Sequence, residues 1–301
     1  MSPPSSINPI EPFYINRIIQ KIGGPFGVFT TLAALKLLLA GCATAPLDEA
    51  GTLQSYAGLQ QSDGFFTRSR ISVSRDDVLA AKTIKIIPTV FSAPAQRTLF
   101  TAAQRNLVTN AVDRALCAGL SERLQVVGPS EPADLVVQAV VTNVAATDPI
   151  AVGVSKSASI AKSVLLPGVP VPVPRLPLGL GSLSLEAEAR DPQGRQKAAM
   201  IWGRGANALL GQGRVASEAD AYSLAASFGG DFSTLLVTGK TPFGGGLPSL
   251  PSMERIGFLL GGTPKYPACE TFGRSDGVVG FLGAAVGVPP NWTDNGAAAP
   301  R

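Results

Sequence analysis

Between Thr83 and Gly239 the chain alternates between short apolar runs and turn-forming residues, and each run has a period. TIKIIPTVF, residues 83–91, is β-branched and apolar and predicts a first strand, with Pro88 marking a sheet edge or a bulge. Ala103, Leu107, Ala111, Ala115 and Leu120 then recur near helical spacing, with Gln104, Arg105, Asn106 and Asp113 on the other face. That pattern predicts an amphipathic helix over residues 99–124. DLVVQAVVTNV, residues 134–144, is apolar on both faces and predicts a central strand. Residues 183–190 alternate strictly: Leu183, Leu185, Ala187 and Ala189 share one face, and Ser184, Glu186, Glu188 and Arg190 the other. Asp191-Pro192-Gln193-Gly194 is turn chemistry, so residues 197–204 return as the partner strand of a hairpin. Ser217, with Asp220 three residues on, reads as a capping-box helix start. Ala221, Leu224, Ala225, Phe228, Phe232 and Leu235 carry that helix to a stop at Gly239. Strand, helix, strand, hairpin, helix predicts a two-layer α+β domain over residues 81–240, its helices packed on one face of a sheet.

The segments around this domain have weaker patterns. Residues 42–80 run, after Cys42, ATAPLDEAGTLQSYAGLQQSDG, small and polar, and read as a tether and entry segment. Residues 164–181, VLLPGVPVPVPRLPLGLG, are apolar, but their prolines forbid a helix and favour extended or polyproline geometry. They fit a loop covering the sheet, or an exposed hydrophobic surface for a partner or a membrane. Residues 241–301 are a Gly- and Pro-rich extension, expected to wrap the core irregularly, with Leu259, Leu260, Phe281, Leu282 and Trp292 as its apolar points.

Ahead of the tether, FGVFTTLAALKLLLA, residues 26–40, has the length of a signal-peptide core. It is too short to span a bilayer, which takes roughly 20 residues. Arg17 and Lys21 supply a positive flank before it, and Lys36 interrupts it, where a charge at mid-membrane depth costs about 3 kcal/mol. The run ends in Leu39, Ala40, Gly41 and Cys42. This resembles the lipobox of bacterial lipoproteins: Leu, a small residue, Gly or Ala, then Cys. The resemblance implies that residues 1–41 are a signal peptide, cleaved before a Cys42 that carries a thioether-linked lipid. Ala43 in the next position, where Asp favours inner-membrane retention in enterobacterial lipoproteins, implies the outer membrane and its periplasmic face. The alternative is a short buried helix that ends by chance in Gly-Cys. The stretch ahead of Phe26, with Pro3, Pro4, Pro9 and Pro12, leaves room for a translation start downstream of Met1.

Composition narrows the chemistry. Charged residues are only 15 % of the chain and the net charge is +4, without a basic run, which argues against a disordered tail and against nucleic acid as a partner. Histidine is absent, which removes the commonest general base at neutral pH and the commonest zinc and copper ligand. There are three cysteines. If lipid consumes Cys42, Cys117 and Cys269 remain as an even pair in an oxidising compartment, and a disulfide between them is expected. Closing so long a loop contributes up to about 4 kcal/mol on the chain-entropy model. The alternative is two unrelated thiols, with Cys117 a small buried apolar residue.

Several short motifs fail on context. Gly273-Arg274-Ser275-Asp276-Gly277 fits the nucleophile-elbow pattern but lacks a strand before it and a histidine base. Ser159-Ile160-Ala161-Lys162 fits the penicillin-binding S-x-x-K pattern, without that family's other motifs in order. Gly239-Lys240-Thr241 lies at a helix exit, where carbonyls rather than N–H groups point outward. Gly203-Arg204-Gly205 follows a strand with no clear helix after it, and Asn291-Trp292-Thr293 is a glycosylation acceptor only where that machinery exists. Glu186 and Glu188 share one strand face and read as solvated rather than catalytic.

From Leu39 to Leu236 the chain resembles the bacterial lipoprotein family DUF3313. The resemblance is carried by LAGC, GTLQSYAGLQ, ADLVVQAVVTNV, LSLEAEARDPQGRQKAAMIWGRG and SEADAYSLAASFGGDF. It implies an envelope lipoprotein with no established activity and transfers only the anchoring Cys42. The leading expectation is a non-enzymatic lipoprotein that contacts an envelope protein or the cell wall, with no cofactor and no metal. The other is a lipid or small-molecule carrier that uses residues 164–181 as a pocket wall.

Overall fold

A computed structural model describes residues 45–154, 179–207, 213–244, 252–294 and 296, which belong to one unit, Cys42–Arg301. Its centre is a seven-stranded mixed sheet. The strands are β1 (Gln60–Gln61), β2 (Thr67–Val73), β3 (Thr83–Phe91), β4 (Gln125–Val126), β5 (Leu135–Ala145), β6 (Ser182–Arg190) and β7 (Gln196–Gly205). Their order is β1-β2-β7-β6-β5-β3-β4, with β3 parallel to β4 and β5 and every other pairing antiparallel. The helices are α1 (Arg75–Ala80), α2 (Ala102–Leu120), α3 (Ala219–Thr238), α4 (Met253–Leu259) and α5 (Gly277–Val286).

The expected α+β architecture is present. The apolar alternation of the hairpin faces the helices: Leu183, Leu185, Ala187 and Ala189 of β6, and Ala198, Met200 and Trp202 of β7, share one core with Leu116, Leu120, Phe228 and Phe232. Trp202 meets Phe228 edge-on, with ring centroids 5.7 Å apart. The two long helices pack closely because both use small residues at the contact. A Cβ on Gly229 would stand 2.4 Å from that of Ala115.

Caps and breaks have local causes. Pro88 falls at a register shift between Ile87 and Val90 on β3, where the missing N–H removes no ladder bond. At Thr101 and Gln104 a reciprocal capping box opens α2. The expected box at Ser217 does not form: α3 starts after Glu218 without a side-chain cap, and Asp220 instead accepts from the Gly181 amide at 2.9 Å. Gly239 ends α3 in the left-handed region, with φ 62°. Arg123 then takes up orphan carbonyls, donating to Leu236 and Val237 at that end and to Val78 and Ala81 around α1.

The flanking segments depart from expectation. Residues 42–80 are not a tether in their described part, which docks on the sheet from Ala45 and supplies β1, β2 and α1. The Gly/Pro-rich extension contains α4, α5 and two 3-10 turns, Pro267–Phe272 and Pro290–Trp292, within its irregular chain. Among the described residues no helix is long and apolar enough to cross a membrane.

Candidate functional site

The face of the hairpin turned away from the helices carries Ser184, Glu186 and Glu188 on β6 and Ala199, Ile201 and Gly203 on β7. These acids are not solvated, contrary to the sequence expectation: Glu186 is 0 % exposed. Residues 45–59 cover them. Glu186 accepts hydrogen bonds from the amides of Ala50 (2.8 Å) and Thr52 (3.1 Å), from the Tyr56 hydroxyl (2.7 Å) and from the Thr52 hydroxyl. Glu188 accepts from the Gln54 amide (2.8 Å) and Gln196 (3.0 Å), and Arg190 pairs with it at 3.1 Å. Leu53 inserts beside Ala199 and Ile201 as a small second core. A buried carboxylate is tolerated when its lone pairs are filled in this way. Burial, with the Glu186 carboxylate second, raises the Tyr56 phenol above its ordinary value.

Where this covering strip begins, Ala45 lies against Gly203, and the Pro46 carbonyl accepts from Ser184 at 2.7 Å. The turn into β2 stands beside it. Ala45, Phe65, Arg68 and Arg204 line one shallow depression. Phe65 is 93 % exposed and meets Phe66 edge-on at 4.5 Å. The Arg204 guanidinium lies 5.8 Å over the Phe66 ring.

The C-terminal extension lies on the helix side. Cys117 of α2 and Cys269 of the first 3-10 turn form a disulfide, with Cα atoms 5.9 Å apart. Arg114 of α2 pairs with Asp294, and the Tyr222 hydroxyl of α3 donates to the same carboxylate at 2.7 Å. Burial first, then the Asp294 charge, pushes the Tyr222 phenol far above its ordinary value. Arg214 donates to Asp276 (2.9 Å) and to the Gly280 carbonyl (2.7 Å), which fixes the start of α5. Val278, Val279, Phe281, Leu282 and Val286 of α5 are nevertheless exposed, as is Trp292 beyond it.

Two further acids stand among the core elements, Asp113 buried and Asp231 half-buried. Asp113 accepts from the Thr89 amide (3.1 Å) and hydroxyl (2.5 Å), yet burial pushes its carboxyl up to about 7. Asp231 accepts from the Trp202 indole N–H at 2.8 Å, and burial raises it to about 6. Each accepts its hydrogen bonds from groups of the fold itself. Among the described residues no cluster of acids and cysteines is arranged to hold a metal ion.

Of the residues singled out in the sequence, Leu39, Ala40, Gly41 and Cys42 lie outside the described residues, as do Ser159 to Lys162 and all of residues 164–181 except the last three. The structure joins Cys117 to Cys269. The Gly273–Gly277 motif follows a 3-10 turn, and its Asp276 is committed to Arg214. Sequence reasoning missed the docking of Thr52 and Tyr56 on the β6 acids. The signal available was a hydroxyl-bearing segment, GTLQSYAGL, in a chain with two acids at alternate positions on one apolar strand. It also missed the Phe65-Phe66 pair, whose signal was two adjacent aromatics beside Arg68 in an otherwise polar stretch.

A family model described as protein of unknown function, DUF3313, matches residues 48–232, from the covering strip through most of α3. No curated protein matches. Among solved structures the chain is similar to a PelC dodecamer from Paraburkholderia phytofirmans, at 11 % identity over 57 % of this chain and 97 % of that one, with a TM-score of 0.33. It is also similar to a DUF4136 family protein from Bacteroides thetaiotaomicron, at 10 % identity over 60 % of this chain and 100 % of that one, with a TM-score of 0.30.

Proposed function

The chain belongs to the DUF3313 family of proteins of unknown function, and from that premise we propose that it is a lipoprotein of the bacterial cell envelope, without enzymatic activity. Cys42 carries the lipid that holds it on the periplasmic face of the outer membrane, and the folded domain serves as a contact module for another envelope protein or the cell wall. The LAGC box supports the anchor. The observation that carries the contact role is α5, which displays Val279, Phe281, Leu282 and Val286 to solvent while Arg214 and Asp276 hold its first turn to the helical layer. A folded protein has little reason to fix so apolar a helix on its surface unless something covers it. The non-enzymatic role is supported by the acids: Glu186, Glu188, Asp113, Asp231 and Asp294 are all taken up by the fold's own donors.

The test is made in native membranes. The wild-type chain should label with a fatty-acid analogue and sediment with membranes, and Cys42→Ser should do neither. With the anchor intact, the Phe281→Ser, Leu282→Ser double variant should keep its melting temperature within a few degrees and lose the crosslinked partner seen for the wild type. A Cys42→Ser chain that still labels and sediments overturns the anchor. An unchanged crosslinking pattern in the double variant overturns α5 as the contact.

A further inference from the structure

We propose that the surface formed by Phe65, Arg68 and Arg204 beside Ala45 rests on the phospholipid headgroups of the membrane that holds the anchor. The inference depends on the anchor just proposed, and it specifies which side of the molecule the membrane meets.

The first argument is reach. Three peptide units separate Cys42 from Ala45, and a fully extended chain spans at most about 10 Å over that distance. By Ala45 the chain is already packed on Gly203, and one residue later its carbonyl is bound by Ser184. An acylated Cys42 lies at the bilayer surface, and the interfacial layer on each side of the hydrocarbon is itself about 5–8 Å deep. The folded domain therefore has no slack with which to stand away from the lipid. Whatever surrounds Ala45 meets the headgroups.

The second argument is the chemistry found there. Phe65 projects with 93 % of its surface exposed, backed edge-on by Phe66. Arg204 lies over the Phe66 ring, and Arg68 is exposed next to it. An aromatic side chain flanked by guanidinium groups suits the interface, where rings settle at headgroup level and arginines meet anionic phosphate. The acid in the same depression, Asp63, is engaged by Gln61 Nε2 at 2.6 Å and by the Ser69 amide at 2.8 Å. A single projecting ring with basic neighbours is too small an apolar area for a stable protein interface. A second copy of the chain or another protein on this surface is thus the competing outcome.

The experiment uses the full protein as the cell makes it, with Trp292→Phe to remove an exposed indole and the buried Trp202 as internal reference. Phe65→Trp is compared with Phe281→Trp after reconstitution into phosphatidylethanolamine–phosphatidylglycerol vesicles containing brominated phospholipid. The expected result is a blue shift and at least twofold quenching for Phe65→Trp, with little of either for Phe281→Trp. Equal, weak quenching at both positions overturns the proposal, as does protection of position 65 by a crosslinked protein. Intact mass reports acylation separately. If the acyl chains are missing, the anchor fails on that measurement, and the surface is judged by adding the same vesicles to the unacylated chain. Quenching at position 65 then upholds it, and none overturns it.

Discussion

Glu186 accepts two backbone amides and two hydroxyls from residues 50–56, so one side chain holds most of the strip that covers the sheet. Replacing it by an amide of the same size turns an acceptor into a donor that faces other donors. Glu186→Gln should therefore cost about 2–4 kcal/mol, and Tyr56→Phe, which loses its charge-assisted bond to Glu186 and the acceptor for the Thr52 and Leu53 amides, about 1–3 kcal/mol. Thermal melts give the magnitudes. Limited proteolysis gives the location: both variants should be cut within residues 45–59 well before the hairpin is touched, and cleavage elsewhere first would contradict the assignment. This residue also marks what the sequence conceals. Alternation along LSLEAEAR shows which side chains share a face, but not what lies on that face. The acids read as solvated because their partners lie some 130 positions earlier in the chain.

At the level of elements, the hairpin and the two long helices were legible because their causes are local: period, turn residues and a glycine stop at Gly239. The second strand was not. TRSRISV alternates Arg68 and Arg70 with Ser69 and Ile71, a mixture with no clean apolar face, and it becomes a strand through its antiparallel pairing with β7. Nor did spacing distinguish the true capping box at Thr101 from the false one at Ser217, since Asp220 was needed by Gly181. The cysteine pairing was read from a count, and its geometry comes from α2 meeting the 3-10 turn at Pro267–Phe272. The Cys117→Ser, Cys269→Ser double variant should lose about 2–5 kcal/mol. The loss should fall first on the extension: hydrogen exchange across residues 264–294 should accelerate while β5–β7 keep their protection. Uniform acceleration would mean that the bridge staples the whole fold rather than its outer layer.

At the largest scale, the described part of the unit Cys42–Arg301 is layered: covering strip, sheet, paired helices, then the disulfide-linked extension. The proton balance of this fold is set by what the layers bury. Asp113 at about 7 and Asp231 at about 6 lie above the ordinary carboxylate value, so these two groups bind more protons in the folded state than in the unfolded chain between about pH 4 and pH 7. Stability from these groups is fully present below the unfolded value and declines as pH rises towards 7, by up to about 1.4 kcal/mol per pH unit for each carboxylate. The wild type should thus melt higher at pH 5.5 than at pH 7.5, and Asp113→Asn should flatten that slope; a variant with the wild-type slope would remove Asp113 as its source. The layering also sets a timetable. A chain made from its N-terminus delivers residues 45–59 first, but Glu186 and Glu188, on which they dock, more than a hundred residues later. Until the hairpin emerges, the stretch from Ala45 to Tyr56 has nothing to close against. On the lipidation proposed above, the enzymes that act on Cys42 would therefore meet an open strand of polypeptide rather than a finished wall.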